Sequence, residues 1–229
     1  EELINLLKEN AFTKPVFIRV NDAMDAIGRE DIDAISPYQD QIEAIILPKT
    51  QSFDFLATLA PMIDFSNKLV PLIETPRAID TVTQIAAFKD VVGLFFGAAD
   101  SSASLGCKLA WEPLLYARQK VVLAAAMYNL FTIDAPFFYI DDKEGLKKEA
   151  EAVKNLGFTG KAAIHPDQID FINESFAPTS EEIAEGKKVL EEYQKSGGGA
   201  VKIDGQMVDE PIAEAMRLKI SLGEEENED

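Results

Sequence analysis

Two carboxylates, Glu74 and Asp100, carry the most suggestive chemistry in this 229-residue sequence. Each follows a short apolar run. Leu69-Val70-Pro71-Leu72-Ile73 stops at Glu74-Thr75-Pro76-Arg77, and Val91-Val92-Gly93-Leu94-Phe95-Phe96 stops at Gly97-Ala98-Ala99-Asp100. Short apolar runs bounded by breakers are the pattern of buried parallel strands. Carboxylates at neighbouring strand ends can share one hard divalent cation and leave positions for water and substrate. The plain alternative is that each acid caps the helix that follows it.

The elements that must position these acids alternate along the chain. Helical spacing over residues 1–10 precedes a strand at 16–20, which ends in Arg19-Val20-Asn21-Asp22. A helix around 30–35 leads to a strand at 42–47 ending at Pro48-Lys49, and a helix over 53–63 leads to the strand at 69–73. A helix at 79–88 precedes the strand at 91–96. A long loop is expected over 101–113, then a helix over 114–130 with Tyr116, Val121, Ala124 and Ala125 facing inward, and a strand over 131–138. The next helix, 142–156, closes on Gly157 as a left-handed cap. A short strand at 161–164 ends at His165, and Pro166 opens a helix where its missing N–H costs nothing. A helix over 181–195, a hairpin or lid at 201–205 and a helix over 211–218 complete the pattern. Six strand–helix units, with no adjacent strands before residue 201, predict a parallel α/β fold.

Composition narrows the function. A formal charge of −18 and the lack of a basic stripe argue against a nucleic-acid partner. No apolar run is long enough to cross a bilayer. A single cysteine, Cys107, excludes a disulfide framework, and a single histidine, His165, excludes a multi-histidine metal site. A cytoplasmic or organelle-matrix setting fits this cysteine usage. An anionic substrate would need basic residues gathered locally at the site mouth. The stretch 224–229 reads as a solvated acidic tail.

The strand ends, taken together, resemble a known family. Arg19-Val20-Asn21, Leu47-Pro48-Lys49, Ile73-Glu74-Thr75-Pro76-Arg77, Phe96-Gly97-Ala98-Ala99-Asp100, Ile164-His165-Pro166-Asp167-Gln168 and Asp204-Gly205-Gln206-Met207-Val208-Asp209 occur in the order of the citrate lyase β-subunit (CitE-like) family. This family lies within the HpcH/HpaI aldolase superfamily, which includes citramalyl-CoA and malyl-CoA lyases. The resemblance implies a (β/α)8 TIM barrel, whose active site lies at the C-terminal mouth. It also implies that the first two βα units of the barrel are missing from this sequence. Residues 1–176 would form the incomplete barrel, 177–223 a C-terminal lid or oligomerisation segment, and 224–229 the tail.

The resemblance further implies a Mg2+ cofactor held by Glu74 and Asp100. Arg19 would grip substrate oxygens, or alternatively form a buried ion pair with one of those acids. Asp209 would act as acid/base from a neighbouring subunit, or simply cap the helix at Pro211. Arg77 and Lys49 would serve the substrate's phosphates, or be solvated. The implied reaction is Mg2+-dependent cleavage of citramalyl-, malyl- or citryl-CoA to acetyl-CoA and a 2-oxo acid, by a homotrimer. A malate-synthase-like condensation with thioester hydrolysis is the alternative, as is a citryl-carrier subunit active only in a lyase complex.

Other features are given structural roles. Gly197-Gly198-Gly199 lacks the Lys-Ser/Thr and helix of a phosphate loop and is read as a hinge. Asp142 is read as a helix cap, His165 as part of a turn, and Trp111 and Tyr116 as packing residues.

Overall fold

The computed structural model describes residues 2–63, 65, 68–197, 199–203 and 205–225. They form two compact units, residues 1–166 and 167–229.

The first unit alternates as its apolar pattern requires. In order it contains α1 (Glu2–Lys8), β1 (Phe17–Arg19), α2 (Ala26–Ile35), β2 (Ala44–Leu47), α3 (Phe53–Leu59), β3 (Leu69–Ile73) and α4 (Pro76–Asp80). It continues through α5 (Val82–Ala86), β4 (Gly93–Phe96), α6 (Ala98–Leu105), α7 (Trp111–Met127), β5 (Phe131–Asp134), α8 (Lys143–Leu156) and β6 (Gly160–Lys161). The six strands pair in sequence order, every pair parallel.

This sheet is curled. The Phe17 ring on β1 meets the Phe131 ring on β5 edge-on, with centroids 5.6 Å apart. Four strand spacings in a flat sheet would put them about 19 Å apart. The rings meet only across the concave face of a half-barrel. Register places Phe17, Ala44, Ile46, Val70, Leu72, Gly93, Phe95 and Phe131 on that face. Gly93 makes room there, since a Cβ at this position would lie 2.3 Å from the Phe131 ring. On the opposite face Ile45, Leu47, Leu69, Ile73, Leu94 and Phe96 are buried beneath the helices.

Helix ends follow local chemistry. Asp142 accepts from the Gly145 N–H at 2.9 Å, and Gly157 closes α8 at φ 106°. Several expectations fail: the strand expected over 131–138 stops at Asp134, and the one expected at 161–164 is only Gly160–Lys161. The loop expected over 101–113 is helical through Leu105, and α7 already begins at Trp111. Tyr116 does not face inward but is 68% exposed, while Val121, Ala124 and Ala125 are buried as expected.

The second unit holds α9 (Ile169–Phe176), α10 (Ser180–Lys195), the antiparallel hairpin β7 (Val201–Ile203) and β8 (Gln206–Val208), and α11 (Glu210–Glu225). Thr179 and Glu182 form a reciprocal capping box at the start of α10. Val189, Tyr193, Ile203, Val208 and Ala213 make this unit's core. Of the acidic tail, Glu224 and Glu225 belong to α11, and residues 226–229 lie outside the described residues. So do Gly198 of the expected hinge and Asp204 of the hairpin. Among the described residues no helix is long and apolar enough to cross a membrane.

Candidate functional site

The parity that puts Val70 and Leu72 on the concave face continues to Glu74, and the parity of Phe17 continues to Arg19. Both side chains therefore rise at the C-terminal mouth of the half-barrel. They line a cleft of about 360 Å³ together with Asn21, Asp22, Lys49 and Asp100.

Neither acid is a helix cap. The cap of α4 is Thr75, whose hydroxyl accepts from the Ala78 N–H at 3.1 Å, with Pro76 in the first helical position. The cap of α6 is Gly97, and Asp100 sits in that helix's first turn, where the helix dipole favours a negative charge. Asp100 is thus one helical turn beyond the end of β4. The two acids nevertheless line the same cleft.

Two features hold Glu74 there. Lys49 adopts a left-handed backbone at φ 54°, and its N–H donates to Glu74 Oε1 at 2.7 Å. Gly97 supplies space on the other side: a Cβ there would sit 2.6 Å from the Glu74 Cβ and 3.0 Å from its Oε2. Neither contact was anticipated. A main-chain donor has no signature of its own, although a glycine directly after an apolar run is a signal for close backbone approach.

Glu74 is 4% exposed, and burial is the main reason its carboxyl is raised to about 6. The Asp100 charge and hydrogen bond push the same way, while the Lys49 N–H and the Arg19 charge oppose it. Two acids lining one cleft are a donor set that a hard cation could share. Among the described residues no group of three or more His, Cys, Asp or Glu side chains is placed to hold a metal. A two-carboxylate set suits Mg2+, which keeps several waters and binds through one or two protein carboxylates plus substrate oxygens.

The remaining predicted residues divide. Arg19 is exposed in the cleft, where its charge acts on Glu74. Lys49 lines the same cleft and a neighbouring groove of about 420 Å³, which Arg77 also lines. Asp209 belongs to the second unit, where its Oδ1 accepts from the Ile212 N–H at 3.4 Å at the start of α11.

A curled parallel sheet whose C-terminal edge carries two carboxylates and an exposed arginine around one cleft is an α/β half-barrel with its polar site where barrels of this class place theirs. Residues 2–166 match the model of the HpcH/HpaI aldolase/citrate lyase family, and the chain belongs to that family. It is 30% identical to the mitochondrial citramalyl-CoA lyase of Homo sapiens, over 90% of this chain and 67% of that protein. Among solved structures it resembles RipC from Yersinia pestis, at 40% identity and TM-score 0.69, over 77% of this chain and 83% of that one. It also resembles the protein CitE from Mycobacterium tuberculosis, solved in complex with magnesium, acetoacetate and coenzyme A. That likeness has 29% identity and TM-score 0.79, over 91% of this chain and 78% of the other.

Proposed function

We propose that this chain is a carbon–carbon lyase that uses Mg2+ to cleave a 3-hydroxyacyl-CoA, citramalyl-CoA first among the candidates, into acetyl-CoA and a 2-oxo acid. The observation that carries the reading is that Glu74 and Asp100 line one cleft at the mouth of the half-barrel together with Arg19 and Lys49. The magnesium and coenzyme A of the CitE complex and the substrate of the human relative support it. In this reading the six strands are a contiguous arc of a (β/α)8 barrel.

When bound between Glu74 and Asp100, Mg2+ supplies Lewis acidity to the substrate's hydroxyl and adjacent carboxylate. Arg19 grips the carboxylate with its planar fork of donors and stabilises negative charge developing on oxygen. As the hydroxyl proton passes to solvent water, its oxygen forms the new carbonyl and the bond between the hydroxyl-bearing carbon and the thioester α-carbon breaks. The electron pair passes to the α-carbon as the thioester enolate. Asp209, contributed by a neighbouring subunit of a trimer, delivers a proton to that carbon and completes acetyl-CoA. Lys49 and Arg77 add positive charge beside the cleft, which a phosphate-bearing substrate needs on a chain of net charge −18.

The test is product analysis with citramalyl-, malyl- and citryl-CoA, each with and without Mg2+. Acetyl-CoA plus pyruvate from citramalyl-CoA, dependent on Mg2+, is the expected outcome. Turnover that persists in chelator, or no cleavage of any of the three, would refute the assignment.

A further inference from the structure

A charged cluster that this chemistry does not use lies at the ends of β4, β5 and β6. Asp134, the last residue of β5, accepts from Arg118 Nε at 2.8 Å and from Lys161 Nζ at 2.8 Å. Lys161, the last residue of β6, also donates to the Ala135 carbonyl at 2.6 Å and to Glu149 on α8 at 2.7 Å. The side chains of Arg118, Asp134 and Lys161 are 4%, 0% and 0% exposed. The Arg118 guanidinium is also held between two rings, 5.1 Å from the Phe96 centroid and 4.8 Å from that of Trp111.

Stability alone is a poor reason to keep such a cluster. Buried ion pairs can often be replaced by apolar side chains of similar volume with no loss of stability. Here Arg118 Nη1 is buried without an acceptor among the described residues, an added cost. What the cluster does supply is alignment. Phe96 ends β4, and the next residue is Gly97, whose N–H bonds the Ile73 carbonyl at 2.9 Å beside Glu74. Three residues further on is Asp100. A guanidinium that stacks on Phe96 while its edge bonds Asp134 ties the end of β4 to the end of β5. Lysine cannot make both contacts, because it lacks the planar, edge-donating group.

We propose that Arg118, Asp134 and Lys161 are positioning residues that set Gly97 and Asp100 against Glu74. In this arrangement metal binding is coupled to the stack of Arg118 on Trp111. This rests on the reading of Glu74 and Asp100 as the Mg2+ site.

Trp111 is the only tryptophan in the chain, so its fluorescence reports on the stack directly. The experiment titrates Mg2+ into the full chain, following Trp111 emission and, separately, heat of binding. Three proteins are compared: wild type, Arg118→Lys, and the apolar triple variant Arg118→Met/Asp134→Leu/Lys161→Met. Wild-type emission is expected to change saturably, with the Kd that calorimetry gives. Both variants are expected to melt cooperatively and to bind Mg2+ about tenfold more weakly or worse. A folded variant that binds with wild-type affinity, or wild-type emission that ignores bound Mg2+, overturns the positioning role and leaves the metal site standing. Wild-type protein that binds no Mg2+ overturns both. If the triple variant does not fold, Arg118→Lys and the wild-type emission still decide the matter.

Discussion

Lowering the pH from 7 to 5 sets protons against Mg2+ for the Glu74 carboxyl, and the size of the effect follows from its environment. With that carboxyl raised to about 6, it is about nine-tenths ionised at pH 7 and about one-tenth at pH 5. Only the ionised form is a ligand, so the apparent Kd for Mg2+ should rise about tenfold between those values. An ordinary glutamate, at 4.5, would give a change of well under twofold over the same range. The assay is calorimetric titration of Mg2+ into the apo protein at half-unit steps of pH, repeated with Glu74→Gln. The variant should bind weakly, with no inflection near 6. A wild-type Kd that stays flat down to pH 5 would refute the claim that a raised Glu74 is a metal ligand. The same group leaves a mark on stability. Folded protein holds the Glu74 proton between 4.5 and about 6 when unfolded chain does not. The contribution of Glu74 to stability therefore falls as pH rises through that window, and Glu74→Gln should abolish that component of the melting profile.

Further outcomes follow from the same geometry. Gly97→Ala would drive a Cβ to within 2.6 Å of the Glu74 Cβ, so it should cost about 1–3 kcal/mol of stability and weaken Mg2+ binding, read by denaturation and calorimetry. Arg19→Ala removes an exposed side chain from the cleft and should leave the melting temperature unchanged. Its kcat/KM should fall about 10²–10³-fold, as when a donor to developing charge is lost. Asp209→Asn separates two roles. Asparagine caps helices as well as aspartate does, so α11 and the melting profile should survive while lyase turnover is lost. Full activity in that variant would reduce Asp209 to its contact with Ile212.

Much of the half-barrel is readable from the chain because buried parallel strands are apolar runs with hard stops. Leu69–Ile73 stands in the structure with the bounds its pattern suggests. Where apolar content is diluted, the reading falters. Ala98–Leu105 is small and polar enough to pass for a loop, yet it forms the helix that carries Asp100 in its first turn. Tyr116 fails for a different reason. Helix α7 is apolar almost all round, so periodicity could not say which side faces the core. Glu74, Arg19 and Lys49 are recognisable as residues at or just past strand ends, whereas Asp100 lies one helical turn beyond its strand; all four line one cleft. The Lys49 N–H and the room at Gly97 are not recognisable, because both depend on how the chain turns after the strand. The Arg118–Asp134–Lys161 cluster left a partial trace: Arg118 interrupts the buried spacing of Leu114, Val121 and Ala125, where an unpaired charge could not be tolerated.

Cleavage in this reading depends on a metal that Glu74 and Asp100 hold together. Crystals of the protein soaked in Mn2+, with anomalous scattering recorded at the manganese edge, test it most directly. One peak is expected in the cleft between the two side chains, bonded to a carboxylate oxygen of each and lost on exchange with excess Mg2+, which should then bind there at about 2.0–2.1 Å. A peak elsewhere in the chain, or none between these carboxylates at saturating Mn2+, would contradict it.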